Sequence, residues 1–163
     1  MANRQTLPTA GAITFDGSPW CKALKRRVGV VEQDDVVHPQ LTVRQTLRFV
    51  ARLRLPRTMS VAAKMERVEE TIQLLKLEKC ADTKVGTSED RGVSGGERKR
   101  LCIACELVLR PQYLLCDEPT SGLDSSTALL VVQSLRRLTR THGLTVVSTI
   151  HQVGRERERE RER

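Results

Sequence analysis

The second half of the chain alternates short apolar runs with one helical stretch, and this order constrains the fold most. Tyr113–Cys116 is a continuous apolar run typical of a buried strand, and residues 144–150 are predicted to form a second strand. Between them, residues 125–141 carry apolar side chains at helical spacing, with Leu129, Val132 and Leu135 expected to face inward. A strand, a helix and a strand with short connections predict a βαβ unit with parallel strands. We therefore expect an α/β fold with a parallel sheet at its core.

Polar side chains follow these predicted strands. Asp117 and Glu118 come directly after the first strand, and His151 follows the second. Gln33 follows a third apolar run, residues 28–31, and joins the same edge if that run belongs to the sheet. One carboxylate can hold Mg²⁺ while the other accepts a proton from an attacking water. Together these groups suit phosphoryl transfer to water, whereas an isolated Asp-Glu pair would indicate only a solvated turn.

A glycine-rich loop precedes a predicted helix in the middle of the chain. Ser94 is a good N-cap and Glu97, three residues later, completes a capping box. Gly95 and Gly96 leave backbone N–H groups bare at the positive end of the helix, which favours an anion such as phosphate. Three basic residues, 98–100, follow and are expected to add positive potential. The alternative is a well-capped surface helix with a solvated basic turn.

Two further helices are predicted upstream of this loop. Thr42 opens the first with a capping-box pattern, and Pro56 ends it; Ser60 is placed to cap the second. The second helix carries an amphipathic stripe that indicates core packing, made of Val61, Met65, Val68, Ile72 and Leu75.

Composition narrows the class of partner. The 163 residues favour one domain, and a net charge of +8 favours anionic partners. Aromatic residues make up only 2%, which argues against a single-strand nucleic-acid binder. No apolar run reaches the length of a membrane span, and the N-terminus lacks a signal-peptide core, so we expect a soluble chain.

The five cysteines do not suggest a disulfide framework. Their number is odd, and three of them lie in apolar runs, which favours buried thiols in a reducing compartment. Cys102 and Cys105 form a C-x-x-C, but within a predicted helix and without a second pair or a nearby histidine. We therefore favour small core residues over a zinc or redox site.

Several motifs in order carry a resemblance. Val93–Glu97, Leu114–Thr120, Ser121–Asp124 and His151 are together similar to the nucleotide-binding domain of an ATP-binding cassette (ABC) transporter. Two stretches, Glu97–Arg100 and Thr149–Gln152, resemble the G (White) subfamily in particular. The similarity covers roughly residues 11–152.

The resemblance implies a partial P-loop NTPase-type fold and roles at the predicted sheet edge. Asp117 matches the Walker B residue for Mg²⁺, and Glu118 matches the catalytic base. His151 matches the switch histidine, and Gln33 matches the Q-loop residue near Mg²⁺ and the membrane-domain contact. ATP and Mg²⁺ are the implied ligands.

It also implies how the chain would assemble. Ser94, Gly95 and Gly96 match the signature motif, which in the family reaches the γ-phosphate of ATP held by a second nucleotide-binding domain. Asp124 matches the D-loop residue. Other implied features are a membrane-domain partner, a place on the cytoplasmic face of a membrane, no nucleic-acid partner, and a helical subdomain at roughly 42–110, with helices 43–54 and 61–76.

Two departures from the family pattern matter. No G-x-x-x-x-G-K-S/T motif occurs in the sequence, and Val153-Gly154 leads into an Arg-Glu repeat over 155–163 that we expect to be a solvated, low-complexity tail. We therefore expect a domain over 1–152 that is cut at both ends, and that alone binds ATP poorly and hydrolyses it negligibly.

Two alternatives stay open at this point. The chain could be a non-hydrolysing binding module that supplies the signature motif to a partner subunit. It could instead be a soluble ABC ATPase without a transport role, against which the G-type run Glu97–Arg100 and the lack of a second cassette argue.

Overall fold

The computed structural model describes residues 14–87 and 90–150. The strands are β1 (Thr14–Phe15), β2 (Ser18–Pro19), β3 (Val28–Val31), β4 (Tyr113–Cys116) and β5 (Thr145–Ser148). The helices are α1 (Val43–Arg54), α2 (Val61–Leu74), α3 (Gly95–Leu107) and α4 (Ser125–His142), with single 3-10 turns at 24–26 and 78–80. The α/β class expected from the sequence is confirmed.

A three-stranded parallel sheet forms the centre of the fold. Its strand order is β3-β4-β5, and both neighbouring pairs run parallel. Leu115 of β4 lies opposite Val30 on one side and Val147 on the other. The predicted βαβ unit is therefore present as β4-α4-β5, and the run at 28–31 belongs to the same sheet.

A short hairpin packs near the start of β4. β1 and β2 pair antiparallel through a turn at Asp16 and Gly17, whose φ angles of 49° and 76° match a tight hairpin turn. The Phe15 ring meets Tyr113 edge-on with ring centroids 5.1 Å apart. This contact fixes the hairpin against the amino end of the sheet.

Helices α1 to α3 lie between β3 and β4 in the chain and bury most of the aliphatic core. Thr42 caps α1 with a full capping box, and the hydroxyl of Ser60 caps α2, as their sequence patterns predict. Lys64 is buried on α2, and its Nζ donates to the carbonyl of Leu55 at 3.2 Å. The largest fully buried core side chains include Leu47, Ile72, Leu75, Leu77, Leu101, Ile103 and Leu114.

The predicted inward face of α4 was wrong for two of three residues. Leu129 and Val132 are 55% and 38% exposed, whereas Leu135 is buried together with Val131 and Leu138. The true stripe begins at Thr127, which packs over Gly96 of α3, and this contact sets the rotation of the helix. Spacing alone could not distinguish the predicted stripe of Leu129, Val132 and Leu135 from the observed stripe of Val131, Leu135 and Leu138, because both contain Leu135.

The amphipathic stripe of α2 also needs one correction. Val61 is 62% exposed, because the first residue of the helix lies beyond the core, while Val68, Ile72 and Leu75 are buried as predicted. The helix ends at Leu74, two residues earlier than expected, and Lys76 turns the chain with a φ of 54°.

None of the helices within 14–87 and 90–150 combines the length and apolar character that crossing a bilayer requires. The Arg-Glu tail and His151 lie outside the described residues. The division into a domain over 1–152 and a tail over 153–163 stays a prediction.

Candidate functional site

The carboxyl ends of β3, β4 and β5 meet at one edge of the sheet, where ligands bind in parallel α/β folds. The ladder continues past the strands, since Asp117 N donates to Val31 O at 2.8 Å and Thr149 N donates to Cys116 O at 3.1 Å. These bonds bring the Asp117 and Thr149 side chains together. Thr149 Oγ1 donates to Asp117 Oδ1 at 2.8 Å.

Glu118 follows in a strained turn. Its φ of +40° lies in the left-handed region, which costs a residue other than glycine about 1–3 kcal/mol. Two bonds hold it there: its N–H donates to Thr149 Oγ1 at 2.8 Å, and its Oε2 accepts from Gln33 Nε2 at 3.0 Å. One carboxylate oxygen, Oε1, has no hydrogen bond among the described residues.

The structure therefore brings together three of the residues singled out for this edge: Gln33, Asp117 and Glu118. Gln33 reaches Glu118 because β3 pairs directly with β4, which was the condition on which its placement depended. His151, the fourth, lies outside the described residues. Thr149 was missed as a site residue, although its position at the end of a strand, two residues before His151, was an available signal.

The glycine-rich loop begins α3 as predicted. Ser94 Oγ accepts from Glu97 N at 3.3 Å, and Ser94 N donates to Glu97 Oε2 at 2.8 Å, so the capping box is complete. Burial favours the neutral form of Glu97, but hydrogen bonds from Ser94 outweigh it and lower the pKa of Glu97. Ser94 and Gly95 are exposed, so the first turn of α3 is open to a ligand.

Two of the three basic residues that follow are not free to attract an anion at this loop. Arg98 donates to the carbonyls of Val85 and Gly86 at 3.2 and 3.1 Å. Lys99 is 2% exposed and forms an ion pair with Asp35 at 2.7 Å. The expected basic turn is thus largely structural, because these side chains fold back onto neighbouring loops.

Asp124 caps α4 from an exposed position. Its Oδ1 accepts from Ser126 N at 3.1 Å, from Thr127 N at 3.0 Å and from the Ser126 hydroxyl at 2.5 Å. These bonds, from Ser126 first and then from Thr127, hold the pKa of Asp124 well below its usual range. The carboxylate stays ionised and fixes the start of the helix.

Close packing joins the starts of α3 and α4. A Cβ at Gly96 would lie 2.1 Å from Thr127 Cγ2, so no larger residue fits there without movement. At Gly95 the nearest atom is Leu123 Cδ2 at 3.3 Å, in a flexible side chain. Gly96 therefore serves helix packing, while Gly95 keeps the exposed turn bare.

The oxygen atoms at the sheet edge match a hard divalent cation that takes few protein ligands. Asp117 keeps Oδ2 unbonded within the described residues, and the amide oxygen of Gln33 is unbonded there when its nitrogen faces Glu118. No group of three or more His, Cys, Asp or Glu side chains within 14–87 and 90–150 forms a metal cage. The donor set thus fits Mg²⁺ bound largely by water and phosphate.

Four of the five cysteines are buried or half-buried, and Cys21 is exposed. All five are free thiols, and burial raises the pKa of Cys80 and Cys116 to about 11 and of Cys105 to about 12. Burial, followed by the nearby Asp35 carboxylate, also raises the pKa of Cys102. Such thiols carry little thiolate at neutral pH and are therefore weak nucleophiles.

A parallel sheet with carboxylates at its carboxyl edge, together with a glycine-rich helix start, is typical of α/β proteins that bind phosphate-bearing ligands. Comparison with known families refines this class. The family model described as ABC transporter matches residues 1–121. The chain belongs to the ABC transporter family.

Its relatives are G-type transporters. ABC transporter G family member 22 of Arabidopsis thaliana is 50% identical over 144 residues, covering 88% of this chain and 19% of that protein. The broad substrate specificity ATP-binding cassette transporter ABCG2 of Bos taurus is 51% identical over 143 residues, covering 88% of this chain and 22% of that protein. The chain is therefore of the G subfamily and spans about a fifth of the length of these curated relatives.

Solved structures give the same fold. CbiO1 from Clostridium perfringens, part of the transporter complex cbiONQ, aligns with a TM-score of 0.72 and 25% identity, covering 88% of this chain and 57% of that one. The dimeric post-hydrolysis state of the cassette MJ0796 bound to ADP and Pi aligns with a TM-score of 0.63 and 29% identity, covering 79% and 54%. The partial ABC ATPase fold expected from the sequence is confirmed.

Proposed function

We propose that the chain is part of an ATP-hydrolysing nucleotide-binding domain that drives export of a substrate across a membrane. One observation carries the proposal: the hydrogen bonds that run from Gln33 to Glu118, from Glu118 to Thr149 and from Thr149 to Asp117 at the sheet edge. They hold two carboxylates in different settings within one small site. That is the arrangement that hydrolysis of a phosphoric anhydride needs.

Each residue of this edge has a distinct proposed task. Glu118 is the general base, since its Oε1 can accept a proton from water while Oε2 is held by Gln33. Asp117 and Gln33 are the protein oxygens for Mg²⁺, which when bound neutralises charge on the phosphates. His151, which follows β5 in the sequence, is proposed to form a hydrogen bond with the phosphate or the attacking water.

The exposed start of α3 is proposed to act on nucleotide held by a second nucleotide-binding domain. Ser94, Gly95 and Gly96 would present hydroxyl and N–H groups to the terminal phosphate, and the helix dipole favours that charge. Asp124 would lie at the same contact, where it fixes the start of α4. A membrane domain would be the other partner, with the site on its cytoplasmic side.

A chimera tests this function. The matching segment of the bovine relative is replaced by this chain, and ATP hydrolysis and ATP-dependent substrate uptake into vesicles are measured. We expect hydrolysis that requires Mg²⁺, and uptake that requires ATP. A chimera that folds and reaches the membrane but hydrolyses no ATP would contradict the proposal.

A second candidate is a module that lends its signature motif to a complete partner. The exposure of Ser94 and Gly95 favours it, because that surface is open to another molecule. Purified chain would then change the ATPase rate of the full-length relative in a saturable way. A Ser94→Arg variant, which blocks the helix start, should remove the effect.

A further inference from the structure

Lys99 joins the signature helix to the loop that holds the proposed base. It lies on α3 five residues after the cap Ser94, and it is 2% exposed. Its Nζ donates to the main-chain carbonyl of Gln33 at 2.8 Å and forms an ion pair with Asp35 Oδ1 at 2.7 Å. A lysine is rarely buried unless it is paired, so these contacts account for its burial.

The loop over residues 33–37, which Lys99 contacts, forms few hydrogen bonds with the rest of the described structure. The main-chain bonds of residues 34–37 stay within the loop, from Val36 to Asp34 at 3.1 Å and from Val37 to Asp35 at 3.0 Å. Among the described residues, Gln33 and Asp35 make polar contacts outside the loop with Lys99 and Cys102 of α3 and with Glu118. The position of the Gln33 main chain therefore depends on Lys99.

The side chain of Gln33 connects the loop that Lys99 holds to Glu118 at the sheet edge. Its Nε2 donates to Glu118 Oε2 at 3.0 Å, in a turn that already holds a strained backbone. A continuous path of hydrogen bonds thus leads from α3 through Lys99 and Gln33 to Glu118. The same helix begins at the exposed Ser94 and Gly95.

We infer that Lys99 is a positioning residue that sets where Gln33 holds the Glu118 carboxylate. It links the helix that contacts one nucleotide to the base that acts on another. The effect on catalysis rests on the proposed function, whereas the effect of Lys99 on the positions of Gln33 and Glu118 can be measured without it. Lys99 lies on the same helical stripe as the buried Gly96 and Ile103, whereas its charge had suggested an exposed basic turn.

Three variants of the full chain separate positioning from stability. Lys99→Met removes the donor but leaves the Asp35 carboxylate buried without its cation, which can unfold the protein. The double variant Lys99→Met/Asp35→Asn also removes that charge, so it should fold. Lys64→Met is the matched control, because Lys64 is also buried and donates to a carbonyl, but on α2 and to Leu55.

The primary measurement is the ¹H–¹⁵N NMR spectrum of the 163-residue chain. In the double variant we expect the side-chain NH₂ of Gln33 and the backbone N–H of Glu118 to shift well beyond their change in Lys64→Met. The Glu118 N–H decides between the two roles, because a merely local packing role would move the Gln33 resonance, which lies beside both substitutions, but not that of Glu118. A double variant that is folded, with the Glu118 N–H at its wild-type position, would overturn the inference.

Kinetics in the chimera form the second measurement. The double variant should lower kcat by about tenfold or more with KM unchanged, because misplacing a reacting group by ~1 Å can cost 10²-fold. A raised KM with unchanged kcat overturns the positioning role. If Glu118→Gln leaves hydrolysis intact, the proposed function fails, whereas the NMR result still decides the structural inference.

Discussion

The hydroxyl of Thr149 donates to Asp117 Oδ1 at 2.8 Å, so the end of β5 fixes the carboxylate at the end of β4. The Thr149 Oγ1 atom also accepts a hydrogen bond from the backbone N–H of Glu118, at 2.8 Å. One side chain from the neighbouring strand thereby holds both acidic residues. The parallel pairing of the two strands is what makes this contact possible.

Replacing Thr149 by a residue of the same shape should remove its hydrogen bonds to Asp117 and Glu118 and lower the stability of the protein. Thr149→Val keeps the volume but leaves the Glu118 N–H without its acceptor, and we expect a loss of about 0.5–1.5 kcal/mol in the free energy of unfolding. Urea denaturation measures it. Thr145→Val, at an exposed position on the same strand, is the control and should change stability little. Equal effects of both substitutions would contradict the role given to Thr149.

Substitution of Gly96 should be tolerated only if the Thr127 side chain of α4 moves or is shortened. Gly96→Ala gains about 0.5–1 kcal/mol in helix propensity but forces a contact that costs typically about 1–3 kcal/mol, so we expect net destabilisation. Adding Thr127→Ser removes the clashing Cγ2 and should restore most of the loss. Gly95→Ala, which meets only the flexible Leu123 side chain, is the matched comparison. Additive effects in the Gly96 and Thr127 cycle would refute the contact.

The capping box of α3 should weaken in acid. The pKa of Glu97 is lower when folded, so its stabilising effect is present above its unfolded pKa of about 4.3 and is lost as pH falls through the folded value. The free energy of unfolding should therefore be higher in the wild type than in Glu97→Gln at pH 6. That difference should shrink as the pH is lowered towards 3. A difference that is constant with pH would show that the ionised form is not the one stabilised.

Thiol reactivity should report the burial of the cysteines. Cys21 is exposed, whereas the others are buried or half-buried, and burial raises the pKa of Cys105 to about 12. We expect one thiol to react rapidly with an aromatic disulfide reagent at pH 8, and the other four only after denaturation. Cys21→Ser should remove the rapid phase. Several fast thiols in the native protein would contradict this packing.

Local patterns were sufficient to predict the elements that depend on neighbouring residues. The caps Thr42, Ser60 and Ser94 and the strand at Tyr113–Cys116 were recognised because each is specified by a few adjacent positions. The parallel pairing followed from the short connections around α4. Gln33 could be placed only conditionally, because no local pattern says which strand pairs with β4.

The errors arose where contacts between distant segments decide the outcome. The buried stripe of α4 depends on Thr127 packing over Gly96, which spacing within one helix cannot show. Arg98 and Lys99 looked like a solvated basic turn, yet loops more than ten residues away hold both of them. Charge in a sequence does not tell where a side chain finds its partner.

The central claim is that Glu118 is the base for ATP hydrolysis, and one substitution tests it most directly. In the chimera, steady-state phosphate release is compared between the wild-type segment, Glu118→Gln and the control Glu66→Gln, which alters an exposed position on α2. We predict that Glu118→Gln lowers kcat by about 10²–10⁴-fold, as expected for a general base, and that Glu66→Gln leaves it unchanged. Unchanged turnover in Glu118→Gln would contradict the account.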